Sequence, residues 1–292
     1  MPQTHFPSAT PTPPAIAHYE NFPVASLLCP PHLRGPIAAL YHFARTADDL
    51  ADEGEASPSE RLHALSRYRT ALAQAAAGHP PGAEPEHWPA VFGPLQAAIE
   101  QHSLPTHLLH DLLDAFVQDV QRTADGTRYR DEAELRDYCR RSANPVGRLL
   151  LHLYGVQTAQ AQAWSDEICS ALQLINFWQD LSIDIPRQRY YLPLDPCAAH
   201  GYSSAQMVAQ EVTPGAITLV ASLAYSARAS MEKGMPLVHL LPGRAGWELR
   251  LVVQGGLRIL DKIQALGYRT MLKRPALRWW DYGVMLWRAV WM

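Results

Sequence analysis

Apolar residues recur along most of the chain at intervals of three and four, the period of a helix with one buried face. Between residues 36 and 53 the series is Ile37, Leu40, Tyr41, Ala44 and Ala47. A second helix is predicted over 59–77, rich in Ala and Leu. Ser57 is placed to cap it, and Pro58 to open it where a missing N–H is harmless. Residues 78–89 read as a Pro/Gly loop. Two helices, 91–102 and 106–123, follow on either side of Leu104-Pro105. A helix opening at Asp131 is expected to bend near Asn144-Pro145. The apolar run 164–182 continues toward Pro186, which stops it. A short helix at 203–210 and long ones at 217–235 and 246–265 complete the series. No strand–helix alternation and no repeat is visible, so the pattern predicts an all-α fold.

The chain has 292 residues, 48% of them hydrophobic. One core reaches roughly that size before chains divide, which favours a single domain. The net charge of -3 provides no general positive field, so a nucleic-acid partner is not expected. The four cysteines, Cys29, Cys139, Cys169 and Cys197, form no C-x-x-C pair and read as reduced thiols of a cytoplasmic protein. Residues 1–14 are rich in Pro, Thr and Ser, lack the charged and apolar regions of a signal peptide, and read as a disordered lead-in. No apolar stretch has the roughly 18 residues of a spanning helix.

Two acidic clusters change the picture. Residues 41–53 read YHFARTADDLADE. Asp48 and Asp52, four apart, share a helix face, with Asp49 beside them. Like charges at that spacing destabilise a helix by a few tenths of a kcal/mol, and a packed helix carrying them calls for a cation. Oxygen donors without His or Cys favour Mg²⁺ over zinc. Arg45 is within reach of Asp48 or of a substrate phosphate. The same residues also suit a solvated acidic face with an Arg45–Asp49 ion pair. Residues 173–193, QLINFWQDLSIDIPRQRYYLP, repeat the arrangement: Asn176, Asp180 and Asp184 form one polar stripe on a helix otherwise apolar nearly all round. Buried carboxylates cost several kcal/mol unless paired or metal-bound. A salt bridge to Arg187 or Arg189 is one solution. Two facing stripes holding a diphosphate through divalent cations is the other, and the repetition favours it.

These segments resemble the squalene/phytoene synthase family over about residues 18–266. The first cluster is similar to the family's first aspartate-rich motif, carried by Asp48, Asp49 and Asp52. The second is similar to its signature around Asn176, Asp180 and Asp184, followed by Arg189, Tyr190 and Tyr191. Tyr138-Cys139 to Val146-Gly147 resembles a Tyr-Cys…Val-Gly segment, and His18 and Phe22 fall where the family has a flap. Three departures resemble the hydroxysqualene synthase branch: Asn21 before Phe22, Asn144-Pro145 in place of Ala-Gly, and Gln179 in place of Arg before Asp180.

The resemblance implies an isoprenoid-synthase bundle around a central apolar cavity, over residues 15–266. It implies Mg²⁺, with Mn²⁺ as a substitute, held by Asp48, Asp52, Asn176, Asp180 and Asp184. Substrate contacts are expected from His18, Phe22, Arg45, Asp49, Tyr129, Gln173, Asn176, Gln179, Arg189 and Tyr191. Phe22, Phe43, Leu112, Phe116, Leu150 and Phe177 are candidates for the tunnel wall. The reaction implied is ionisation of presqualene diphosphate and capture by water, without NADPH. Its functional partners would be a presqualene diphosphate synthase and a hydroxysqualene dehydroxylase. Two alternatives stand: head-to-head condensation of two farnesyl or geranylgeranyl diphosphates, and a non-catalytic assembly partner of the same fold. Residues 267–292 carry five basic residues and six aromatic ones against one acid, Asp281. They read either as a membrane-surface tail or as a last helix packed on the domain.

Overall fold

The computed structural model describes residues 29–82 and 87–292, and the regular structure among them is all helix, without a strand. Helix α1 (Pro31–Asp52) buries Leu33, Pro36, Ala39, Phe43 and Ala47, one stripe at intervals of three and four. Helix α2 (Pro58–Ala76) begins as the sequence predicts: the Ser57 hydroxyl accepts from the Glu60 N–H, the Glu60 carboxylate accepts from the Ser57 N–H, and Pro58 opens the first turn. With α3 (Pro89–His102) and α4 (His107–Asp125), these helices enclose one apolar cluster built on Phe43, Tyr68, Phe92 and Leu109. The Tyr68 hydroxyl donates to the Phe43 carbonyl at 3.0 Å, tying α2 to the middle of α1.

The expected bend is real. Helix α5 (Glu132–Ser142) stops at Ala143, and α6 (Asn144–Leu153) restarts with Pro145 in its first turn. Asn144 is buried, and its side-chain oxygen accepts from Ser170 at 2.9 Å, pinning the bend to α7 (Ala159–Gln179). Gly147 lets the two helices close: a Cβ there would lie 2.3 Å from Ser165 Oγ and 2.6 Å from Cys169 Sγ.

Beyond the short helices α9 (Leu194–Ala199) and α10 (Ser204–Val208), a second, larger apolar cluster joins α5 and α7 to α11 (Pro214–Gly234) and α12 (Gly243–Ala265), and it includes the buried Trp178, Leu219, Met231 and Ile259. The sequence reading misses one feature here. The helix through the second acidic cluster breaks at Asp180 (φ -101°, ψ 12°) and resumes as the one-turn α8 (Leu181–Asp184), whereas the periodicity carries it unbroken to 182. Residues 267–292 follow the second of their two readings, a last helix packed on the domain. Thr270, Met271 and Asp281 are buried, and α13 (Trp279–Val290) lies against α12. The lead-in 1–14 and the flap residues His18, Asn21 and Phe22 lie outside the described residues.

Candidate active site

The two aspartate clusters lie at the seam between the apolar clusters, the first on α1 and the second on α7 and α8. Arg189 joins them. The turn after α8 passes through Gln188, which holds the left-handed conformation (φ 61°), a strained choice for a residue with a side chain. The Arg189 N–H then bonds back to the Asp184 carbonyl at 2.9 Å, and the guanidinium reaches Asp52 at 2.5 Å. One arginine therefore holds its backbone on the second cluster and its charge on the first.

Each cluster has a further arginine. Arg45 sits 3.1 Å from Asp48 and 2.7 Å from Asp49, both within one turn of α1. Arg274, far along the chain, pairs with Asp180; its second nitrogen lies 3.4 Å from Oδ2. The expected pairing of the second cluster with Arg187 or Arg189 is thus replaced by Arg274, while Arg189 crosses to Asp52. Among the described residues Asp184 has no ion-pair partner, and one oxygen of Asp52, Oδ1, is buried without a hydrogen bond.

This leaves the site short of positive charge. Burial and the neighbouring Asp52 raise the Asp48 pKa to about 6. Burial and Asp180 raise Asp184 to about 7. The Asp48 side chain is nonetheless 42% exposed. A carboxylate that is surrounded by protein and still reached by water lines a recess rather than the outer surface. Among the described residues no three His, Cys, Asp or Glu side chains converge as a preformed metal site. The donor set still fits hard divalent cations: it is oxygen only, it includes an orphaned buried carboxylate oxygen, and burial beside a like charge raises the pKa of both Asp48 and Asp184. Asn176 and Gln173 lie on the half-buried stripe of α7 that ends at Asp180, while Leu174, Ile175, Phe177 and Trp178 are buried.

Beside the clusters stands an aromatic group. Tyr191 stacks on Phe177 at 3.8 Å between ring centres and lies 6.3 Å from Tyr129, nearly parallel to it. Tyr138 is within 6.4 Å of all three. Two backbone bonds, Leu194 N–H to Tyr129 O and Asp195 N–H to Arg130 O, zip the two tyrosine-bearing segments together. The Tyr138 hydroxyl donates to Asp119 on α4, whose pKa is pushed up to about 7 by burial.

Tyr129, Tyr191 and Arg189 therefore line one recess, and the Arg189–Asp52 pair joins it to the α1 cluster of Arg45 and Asp49; Gln173 and Asn176 stand on α7 in the two turns before Asp180. Gln179 does not face it in the expected way: it is fully buried, and its side-chain amide donates to the Pro275 carbonyl at 2.7 Å. Its visible task is to hold the segment that carries Arg274. Phe43 and Leu112 are closed into the α1–α4 core rather than lining a tunnel, whereas Phe116 and Leu150 remain partly accessible. Asp119 and Arg274 escaped the sequence reading, and Tyr138 was given no role. The signal for Asp119 was a lone acid at helical spacing from Ala115 and Leu112 on an apolar face. Arg274 lay in the basic segment read as a possible tail.

Residues 16–281 match the squalene/phytoene synthase family. The chain belongs to this family. It is 34% identical over 253 residues to a hydroxysqualene synthase of Sinorhizobium fredii, covering 86% of this chain and 80% of that one. It is also 34% identical over 274 residues to a phytoene synthase of Thermus thermophilus, covering 94% and 89%. In three dimensions it is similar to the crystal structure of a squalene synthase from Alicyclobacillus acidocaldarius, with a TM-score of 0.76, 35% identity, and coverage of 86% of this chain and 90% of that one. No described helix is long and apolar enough to cross a membrane.

Proposed function

We propose that this chain ionises presqualene diphosphate and delivers water to the resulting cation, giving hydroxysqualene and diphosphate. The observation that carries the reading is the joining of two aspartate clusters by Arg189, beside an aromatic group. The likeness to hydroxysqualene synthases supports the choice of substrate.

Asp48, Asp52, Asn176, Asp180 and Asp184 would hold Mg²⁺, or Mn²⁺ in its place. When bound, the ions supply Lewis-acid stabilisation of the departing diphosphate. Arg45, Arg189 and Arg274 add charge-assisted hydrogen bonds to the same group. The carbon–oxygen bond breaks with its electron pair going to the diphosphate. The faces of Tyr129, Tyr138, Phe177 and Tyr191 present negative π density to the cation left behind. The cation then rearranges, one carbon–carbon bond of the presqualene skeleton breaking as another forms; the water oxygen bonds to the rearranged cation, and its proton leaves. Asp119, with a pKa of about 7, is the nearby carboxylate whose proton affinity suits that transfer. No step calls for a hydride, so NADPH is not part of the proposal. A presqualene diphosphate synthase would supply the substrate, and a hydroxysqualene dehydroxylase would consume the alcohol. The proposal sets the work in the cytoplasm, at the inner face of the membrane, because a C30 product partitions into lipid.

Turnover of presqualene diphosphate with Mg²⁺ in ¹⁸O-labelled water, without NADPH, is expected to give a labelled C30 alcohol. Squalene formed only on adding NADPH, with no alcohol, overturns the reading. The equal identity to a phytoene synthase favours a second reading, head-to-head condensation of two prenyl diphosphates. Consumption of farnesyl or geranylgeranyl diphosphate alone would establish it.

A further inference from the structure

We propose that the outer face of α13 is a docking surface for an anionic membrane. Half of the chain's eight tryptophans fall in its last 14 residues, at Trp279, Trp280, Trp287 and Trp291. The helix has two unlike sides. Asp281, Met285 and Ala289, spaced by four, are buried against α12. Trp279, Tyr282, Leu286, Trp287 and Val290 face outward, with Trp279 80% and Trp287 66% exposed. Aromatic and aliphatic side chains in this density are costly to leave in water.

The charges around this face identify its occupant. The only acid of the segment, Asp281, points inward and is neutralised by Arg258 at 2.8 Å and Lys262 at 2.7 Å. Three of its basic residues, Arg269, Lys273 and Arg278, are exposed, and the Arg278 guanidinium lies 5.1 Å from the Trp280 ring centre. An outward face of indoles and phenol edged with cations, and stripped of its one carboxylate, complements the headgroup region of a negatively charged bilayer. At 12 residues the helix is about 18 Å long, too short to span and long enough to lie flat. Docking would also set the reaction site beside the lipid, because the segment leading into α13 supplies Arg274 to Asp180 and Pro275 to Gln179. The inference holds whichever prenyl diphosphate is the substrate.

The test is co-flotation of the full chain with vesicles of phosphatidylcholine, with and without phosphatidylglycerol. The wild type is expected to float with the anionic vesicles and to partition at least tenfold less onto phosphatidylcholine alone. The double variant Trp279→Ser/Trp287→Ser, with native circular dichroism and unchanged affinity for Mg²⁺-diphosphate, is expected to lose at least tenfold in partitioning. Arg269→Glu/Lys273→Glu is expected to do the same on anionic vesicles only, a readout that does not depend on the tryptophans. Failure of the wild type to float, or flotation of both variants like the wild type, overturns the proposal. So does a wild-type dimer in sedimentation velocity that the tryptophan variant disperses without any vesicle binding, which would make a second copy the occupant.

Discussion

The two aspartate clusters carry the same i, i+4 chemistry, yet they are neutralised in opposite ways. On α1, Arg45 lies three and four residues before Asp48 and Asp49, so one turn of helix builds the pair. On α7 and α8 the partner of Asp180 is Arg274, 94 residues away, held in place by the packing of a separate segment. The first cluster is thus charged and countered locally, and it persists wherever its helix persists. The second exists as a countered cluster only when the C-terminal segment is docked. Arg189 spans both, so neither is independent of the other.

The largest effect is expected from the carboxylates themselves. Asp48→Asn and Asp180→Asn should each lower turnover by about a thousandfold or more, a loss of roughly 4 kcal/mol of transition-state stabilisation, with unchanged helical circular dichroism. If either retains activity within tenfold of wild type, its cluster is not a metal clamp and the symmetry between the two is only formal.

Next comes the bridge. Arg189 and Asp52 expose 23% and 19% of their side chains, so removing one partner strands a largely buried charge. Arg189→Ala should lower the stability of the metal-free protein by about 2 kcal/mol in urea denaturation. It should also weaken diphosphate binding about tenfold in calorimetry. A variant that binds diphosphate as tightly as wild type would separate the clusters functionally.

The contrast between local and distant arginines can be measured directly. Arg45→Gln breaks a partly exposed pair within one helix and should cost about 0.5 kcal/mol. Arg274→Gln should cost two- to threefold more and make bonds near residues 272–278 susceptible to proteolysis, because beyond the anchored Met271 the Gln179–Pro275 bond is then the main polar tie of that stretch. Equal costs would mean that the C-terminal segment docks without help from Asp180.

The smallest effect is on the pH dependence of stability. Asp48 at about 6 and Asp184 at about 7 both lie above the usual carboxylate value of 3.8. A carboxyl whose folded pKa is raised binds its proton more tightly folded than unfolded. Its contribution is therefore fully present below about pH 4 and lost as pH rises through 6 to 7. The metal-free protein should lose a few degrees of melting temperature between pH 5 and 8 in calorimetry. Asp184→Asn should flatten that slope, and Mg²⁺ should restore the loss at the alkaline end. A slope unchanged in Asp184→Asn would show that other groups set it.

Much of the architecture was legible before any coordinates. The α2 capping box, the bend at Asn144-Pro145 and the buried stripe of α1 all follow from residues within a few positions of one another. So do the Arg45 pairs and the polar stripe Gln173, Asn176 and Asp180. Backbone propensity, capping and i, i+4 geometry act over one or two turns, and a linear pattern records them.

What required the tertiary structure is whatever depends on which distant segments meet. Nothing local marks Arg274 as the partner of Asp180, or Arg189 as the partner of Asp52 rather than of its neighbour Asp184. Nothing local shows that Gln179 turns to Pro275, or that Asp119 sits under the Tyr138 hydroxyl. The break at Asp180 belongs to the same class, since an apolar run does not reveal where a helix yields to seat a carboxylate. Segment 267–292 shows the division most clearly. Its composition determined an amphipathic, basic, aromatic helix, but composition is blind to direction. Only the packing of Asp281 between Arg258 and Lys262 decided which side is core and which side is left facing out. Burying that one acid is worthwhile only where two cations from α12 already stand in place to pair with it.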